Sequence, residues 1–591
     1  MLSFAVFDER GPAKGWPLRR AYLFTSADEV PVPGEVRAED GFIRCSKAGT
    51  ESAGLALLFP VELPPPPSPP LDGRPAQGLL GEVVLRTSLL PEREEPYLLT
   101  LELARHRIML VLNKLEEWQL FDLPADHAVM RQFEQARAEF TAALVAMCHR
   151  ENGKPDPASM LEADRASRRA LSLAIEASEK LALLHADRQL KGRLDGSLFE
   201  QASSKADGLA SDRVMSEGAA KNPDDVGVVL PQPPMIGCAV QPAQFSEPLA
   251  KVVSVACDFV SMPMRWSGME PTEGTYAFAK TDKWIEWAVR TAKIPVVGGP
   301  LIDFREIAVP EWLYIWEHDY ETLRELVYEH IKTVVTRYRR TVTRWTVCSG
   351  LHVNQGFSLT LERMMDLTRI CALLVRKLQP AAKVQIEISQ PWGEYLAGNK
   401  RAMPPKLYAE MIPQAGINID ALGLRLQMGR GDQGRTTRDL MALSDLLDRY
   451  ATLDKPIAIT AAGVPSELVA APPAVPPASP PRNSVEAPEP PDGGETGATR
   501  SAEPPSDPGY WRAPWSADTQ ARWVREALSI CAAKPYVHSI CWQDLYDSPE
   551  GEMPAGGLMG EGGAIKPAAT ALAELRRLIR GVQRAPAAVR R

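Results

Sequence analysis

Residues 344–356 read RWTVCSGLHVNQG. Trp345 to Cys348 make a short run of aromatic, β-branched and thiol side chains, a composition suited to a strand. The run stops at Ser349-Gly350 and gives way to a polar loop. Seven further runs of this kind surround it: MIGCAV (235–240), VACDFVSM (255–262), IPVVGGPLID (294–303), KVQIEISQ (383–390), IDALGLRLQ (419–427), KPIAITAA (455–462) and VHSICWQD (537–544). Stretches of helical period lie between them, such as TDKWIEWAVRTA (281–292), DYETLRELVYEHIKTVVTRY (319–338) and SADTQARWVREALSICA (516–532). Eight β-α units in succession predict an α/β fold, a (β/α)8 TIM barrel over residues 234–582. In such a barrel, side chains at the C-terminal strand ends form the site. The end of RWTVCSG therefore matters for function, and it ends in glycine.

The chain has 591 residues, more than one core usually serves. An apolar content of 45% with 24% charged residues fits a globular protein. The net charge of −8 argues against nucleic acid or an anionic membrane as partner. No apolar run approaches the ~18 residues of a membrane span. The N-terminal MLSFAVFDERGPAKGW lacks the basic start and long apolar core of a signal peptide, so a cytoplasmic location is expected. The eight cysteines are scattered without C-x-x-C, and the histidines show no metal-ligand spacing, so free thiols and no metal or cofactor are expected.

Residues 1–125 hold short apolar runs separated by turn-forming clusters, among them GFIRCSK, AGLALLFPVEL, GLLGEVVLRTSLL, YLLTLELA and RIMLVLNKL. They predict a β-rich, sandwich-like domain. Over residues 126–197 the period changes. Val129, Phe133, Ala136, Phe140, Leu144 and Met147 recur at three- and four-residue steps, and a second helical run follows a Gly-Pro loop. An antiparallel helical hairpin is expected, either as a route to homo-oligomers or packed against its own chain. Residues 198–233 read as a linker. Residues 465–508 carry 13 prolines in 44 positions and read as a disordered insertion after strand seven.

From about 235 to 580 the chain resembles glycoside hydrolase family 10, the β-xylanase family. MRWSGMEPTEGTYAFAKTDKWIEWA (264–288) is similar to the family's stretch after strand two, through Trp266, Glu270, Pro271, Gly274, Tyr276, Phe278 and Asp282. VVGGPLIDFREIAVPEWL (296–313), RWTVCSG, IDALGLRLQM, KPIAITAAGV, and ICWQDLYD with GGLMGEGGAIKPAATAL follow in the family's order. The resemblance implies a retaining hydrolase with one carboxyl as acid/base after strand four and one as nucleophile on strand seven, roughly 5–5.5 Å apart. Here those positions hold Gly350 and Ala461, and the strand-three histidines fall near Gly299 and Phe304. Neither residue can protonate a leaving oxygen or attack an anomeric carbon.

The polar groups expected at the strand ends are Arg265 and Trp266, Asp303 and Arg305, His352 and Asn354, Trp392 and Glu394, Arg425 and Gln427, and Trp542, Gln543 and Asp544. A sugar wants an aromatic plane beside fixed donors and acceptors. Trp266, Arg265, Trp392, Arg425, Gln427, Trp542 and Gln543 are thus candidate sugar contacts. Glu394, with Asp303 or Asp544, is the candidate for relocated carboxylate chemistry, or else a salt-bridge partner of Arg425. His352 could stand in as an acid, because histidine titrates near neutrality, or be an ordinary loop residue. The sequence supports a carbohydrate-binding pseudoenzyme with an oligosaccharide ligand. The alternatives are a glycosidase with relocated carboxylates and a scaffold protein.

Overall fold

A computed structural model describes residues 1–64, 78–151, 154–198, 233–432, 434–468, 507–549 and 551–581. The expected linker and the proline-rich insertion fall almost wholly outside the described residues.

Eight parallel strands close into a barrel: β1 (Met235–Ala239), β2 (Phe259–Met262), β3 (Val296–Gly298, continued by Ile302–Asp303), β4 (Val342–Ser349), β5 (Lys383–Ile388), β6 (Ala421–Gln427), β7 (Ile457–Gly463) and β8 (Val537–Trp542). Closure comes from β1 against β8, with Ile236 opposite Ile540 and Cys238 opposite Trp542. Helices follow the strands around the outside. Their starts are set by short polar side chains that accept the first unpaired N–H groups. Asp319 accepts from Thr322 N, Thr360 from Arg363 N and Ser516 from Thr519 N. The fold is a (β/α)8 barrel, preceded by a sheet-rich region and long helices.

The N-terminal region builds two sheets. One has four strands in the order Tyr97–Leu98, Leu2–Ala5, Phe42–Lys47, Gly34–Glu39. The other has five, Tyr510–Trp511, Leu79–Arg86, Gly54–Glu62, Tyr22–Thr25 and Val30–Val32. Its edge strand Tyr510–Trp511 comes from the barrel half of the chain and pairs antiparallel with Glu82 and Gly81. Phe4 and Ile43 of the first sheet share one core with Leu57, Phe59 and Val83 of the second.

One expectation is corrected. YLLTLELA and RIMLVLNKL are not strands: Tyr97-Leu98 is a two-residue strand, and Leu99–Glu117 is a helix, α1. The two short apolar runs are consecutive turns of one helix. Thr100, Ala104, Arg107, Val111 and Leu115 are buried along one face, and Leu, Glu, Arg and Lys favour the helix.

The hairpin α2 (Ala128–Met147) and α3 (Pro157–Asp195) takes the second of the two expected arrangements, packed against its own chain. Leu173, Ala177, Leu181 and Ala186 of α3 lie in the same continuous core as the barrel. Near the end of α3, Arg193 donates to the carbonyls of Ala532, Lys534 and Val537 at 2.7, 2.8 and 2.9 Å. The hairpin is thus seated on the outside of the barrel.

Candidate functional site

A cavity of about 950 Å³ opens at the C-terminal ends of the barrel strands and reaches into the lumen. Its walls include Arg265 after β2, Asp303 and Arg305 at β3, Glu387 of β5, Arg425 of β6, Ala461 of β7, and Gln543, Asp544 and Glu552 after β8. Several residues lining the lumen are small or short, among them Ala239, Ser261, Thr346, Ala458, Ser539 and Cys541.

Glu552 is the centre of the charge network. It sits in the loop after β8 and is buried. Arg305 donates from Nη1 and Nη2 at 3.0 and 3.1 Å, Arg265 from Nη2 at 3.2 Å and Arg435 from Nη2 at 3.4 Å. Arg425 Nη1 adds a bond at 2.5 Å. The Glu552 carbonyl also accepts from Arg430 and Arg435, at 2.7 and 3.1 Å. Burial opposes ionisation of Glu552, but the guanidiniums of Arg305, Arg425, Arg435 and Arg265 outweigh it. They hold its carboxyl well below the usual carboxylate range.

A second carboxylate, Glu387, is buried in β5. Arg425 grips it through Nε at 3.0 Å and Nη2 at 2.8 Å, and Ser349 donates its hydroxyl at 2.5 Å. Burial raises its pKa, and Arg425 and Ser349 more than reverse that, leaving it below the ordinary value. Asp303 is the counter-ion of Arg305, with Nε 3.0 and 2.9 Å from its two oxygens. Asp544 differs from all of these. Its Oδ1 receives one long bond from Gln241 at 3.4 Å, and its Oδ2 has no partner among the described residues. Burial, reinforced by the charge of Glu552, pushes it up to about 7.

Of the sugar contacts expected from sequence, Arg265, Arg425 and Gln543 line the cavity, and the three tryptophans do not. Trp266 is buried, donates to Glu270 Oε2 at 2.8 Å and stacks on His330 at 4.3 Å. Trp542 is buried, donates to the Gly556 carbonyl at 2.9 Å and packs edge-on to Trp523. Trp392 lies under the guanidinium of Arg438, 4.4 Å from the ring centroid. All three pack away from the cavity, because a large ring at a strand end also serves to fill the space between barrel and helices. Gln427 is buried and donates to Gln543 Oε1 at 2.7 Å.

The expected carboxyl pairing is corrected too. Glu394 is buried outside the cavity wall, paired with Arg438 and accepting from the Gly434 N–H at 3.0 Å. Its counter-ion is Arg438 and not Arg425. His352 is buried, with Nε2 2.9 Å from the Ser389 carbonyl oxygen, and burial lowers its pKa to about 4, so it is no acid for neutral pH.

Gly350 has φ 63°, in the left-handed region that side chains other than glycine rarely adopt. A Cβ there would stand 2.5 Å from Ser389 Oγ. Ala461 sits in the cavity wall. Among the described residues there is no group of three or more metal-ligating side chains, and no helix is long and apolar enough to cross a membrane.

Sequence reasoning missed Glu387 and Glu552. For Glu387 there was a signal: Gln385, Glu387 and Ser389 alternate with apolar residues in KVQIEISQ, so they share one strand face. Glu552 sits in GEMPAGG, where no period applies.

A closed (β/α)8 barrel with a polar cavity at its C-terminal face is the architecture of many enzymes and defines the class. Residues 232–470 match the sequence model of Glycosyl hydrolase family 10. Over those residues the chain carries a xylanase-like domain similar to that family. Endo-1,4-beta-xylanase 2 of Aureobasidium pullulans is 24% identical over 208 residues, 33% of this chain and 55% of that protein. Endo-1,4-beta-xylanase B of Thermotoga neapolitana is 32% identical over 93 residues, 16% of this chain and 26% of that protein. The chain thus spans about half or less of the length of these curated relatives. Among solved structures, native xylanase 10B from Thermotoga maritima is similar at 16% identity and a TM-score of 0.41, covering 59% of this chain and 96% of that one.

Proposed function

We propose that the barrel binds a saccharide and does not carry out the family's hydrolytic step. The observation that carries this reading is the chemistry of the two marked positions. Gly350 and Ala461 offer no group that could donate a proton or attack carbon, and a side chain at Gly350 would meet both backbone strain and Ser389. Of the carboxyls that line the cavity, Asp282, Asp303, Glu387 and Glu552 are each held by arginine, and Asp544 is not. A cavity of about 950 Å³ lined by mixed donors and acceptors remains, large enough for a short oligosaccharide.

The test is incubation of the full chain with xylan, xylo-oligosaccharides and aryl glycosides, alongside calorimetric titration with the same oligosaccharides. The expected result is binding without turnover. One observation favours a second reading: Asp544 is a buried carboxyl held protonated near neutrality, the property of a general acid. Turnover that disappears in Asp544→Asn would establish that reading and overturn the first.

A further inference from the structure

The cavity mouth has a charge imbalance that the saccharide reading alone does not use. Arg265, Arg305 and Arg425 line it, and Arg430 and Arg435 join them on Glu552. They face four carboxylates, Asp303, Glu387, Asp432 and Glu552. Among the charged residues lining the cavity, six arginines and lysines stand against five aspartates and glutamates, so one positive charge is left over even with Asp544 ionised. Glu552 serves four of these guanidiniums with a single carboxylate; Arg305 and Arg425 each hold a second one, Asp303 and Glu387, and Arg265 has no other among the described residues. Arg265 spends one bond, at 3.2 Å, on Glu552, and its side chain is 31% exposed in the cavity wall.

A second, independent observation concerns acceptors. Gln385 Oε1, Gln244 Oε1 and Asp544 Oδ2 are buried in residues that line the same cavity, and none has a hydrogen-bond partner among the described residues. A buried acceptor without a donor is costly, and a ligand rich in hydroxyls would relieve that cost. A guanidinium with one long bond beside orphaned acceptors calls for a ligand that combines an anion with several O–H donors.

We propose that the site takes an anionic saccharide, with the acidic group against Arg265 and with hydroxyls donating to Gln385 and Asp544. The proposal rests on the saccharide-binding reading and narrows it. Both a sugar carboxylate and a sugar phosphate satisfy the geometry. A guanidinium fork binds either one bidentately.

The experiment is calorimetric titration of the full chain with glucose, glucuronate, glucose 6-phosphate, xylotriose and inorganic phosphate, repeated on Arg265→Gln. At least one of glucuronate and glucose 6-phosphate is expected to bind ten-fold or more tighter than glucose, and which one does so identifies the acidic group. In Arg265→Gln that preference should shrink to two-fold or less, with the unfolding midpoint checking that the variant is folded. Glucose or xylotriose binding as tightly as the anionic sugars would overturn this inference and leave the saccharide reading standing. Absence of binding by every sugar would sink both. Inorganic phosphate binding as tightly as glucose 6-phosphate, or a preference unchanged in Arg265→Gln, would also overturn it.

Discussion

Arg107 of α1 holds Asp439 in a two-pronged ion pair, Nη1 2.9 Å and Nη2 2.6 Å from its two oxygens, and both side chains are buried. Asp439 is also the N-cap of the helix Leu440–Ala451, accepting from Met441 N and Ala442 N at 3.0 and 3.1 Å. One carboxylate thus joins the first long helix to the barrel. Removing one partner of a buried pair strands the other charge, at a cost of about 3–5 kcal/mol. Arg107→Ala is expected near the low end, because the cap bonds remain. In urea its midpoint should fall with little change of slope. Sheets and barrel should be lost in one transition, because they share a core with the helices. Two separated transitions would contradict that.

Restoring the family's carboxyls one at a time should not be symmetrical. Ala461→Glu places its side chain in an open wall and is expected to fold with little loss. Gly350→Glu must hold a left-handed backbone and displace Ser389, a strain of about 1–3 kcal/mol, read as a lower midpoint. The double variant is expected to leave aryl xylosides intact. Release of the aryl group above the parent protein's background would show that only two side chains separate this barrel from a hydrolase.

Glu394→Gln tests whether Glu394 is structural. Its partner Arg438 is 2% exposed, so the change leaves a buried guanidinium without its carboxylate and should cost about 3 kcal/mol. Saccharide affinity, measured by titration below the unfolding temperature, should stay within two-fold. A large loss of affinity with stability intact would place Glu394 in the site after all.

Two carboxyls should give pH dependences of opposite sign. Burial works against the Glu270 charge. Bonds from His330, the Gly274 N–H and Trp266 overcome this and hold its pKa at about 2, below the ordinary 4.5. A depressed folded pKa means stability present above the unfolded value and lost as pH falls from about 4.5 towards 2. Asp544 is pushed the other way, from 3.8 to about 7. The folded state then binds the extra proton, so stability declines as pH rises from about 4 to 7 and levels off above. Asp544→Asn should remove that decline, and Glu270→Gln should remove the acid-side loss. Denaturant midpoints from pH 3 to 8 check both.

The barrel was legible because each strand reads as a short apolar run bounded by turn residues and followed by a helical period. α1 was not, because its polar Ala104-Arg105-His106 interval looks like a turn between two strands when only short windows are compared. The site was legible as a place more than as a set of groups. Strand ends located Arg265, Asp303, Arg425 and Asp544 in the mouth. The tryptophans misled, since sequence does not say whether a ring at a strand end faces the lumen or the surrounding helices. Glu552 was invisible for a further reason. Its role depends on a loop folding back over arginines that lie between 117 and 287 positions away.

The strand Tyr510–Trp511 has a practical consequence. The family match stops at residue 470, before β8 and before this strand, which completes a sheet whose other members all lie within the first 86 residues. A gene fragment cut at the edges of the recognised region would encode an open barrel, stripped of the helices that share its core. The stretch that carries the family's likeness is therefore smaller than the piece that can stand alone, and expression trials should begin from the whole chain.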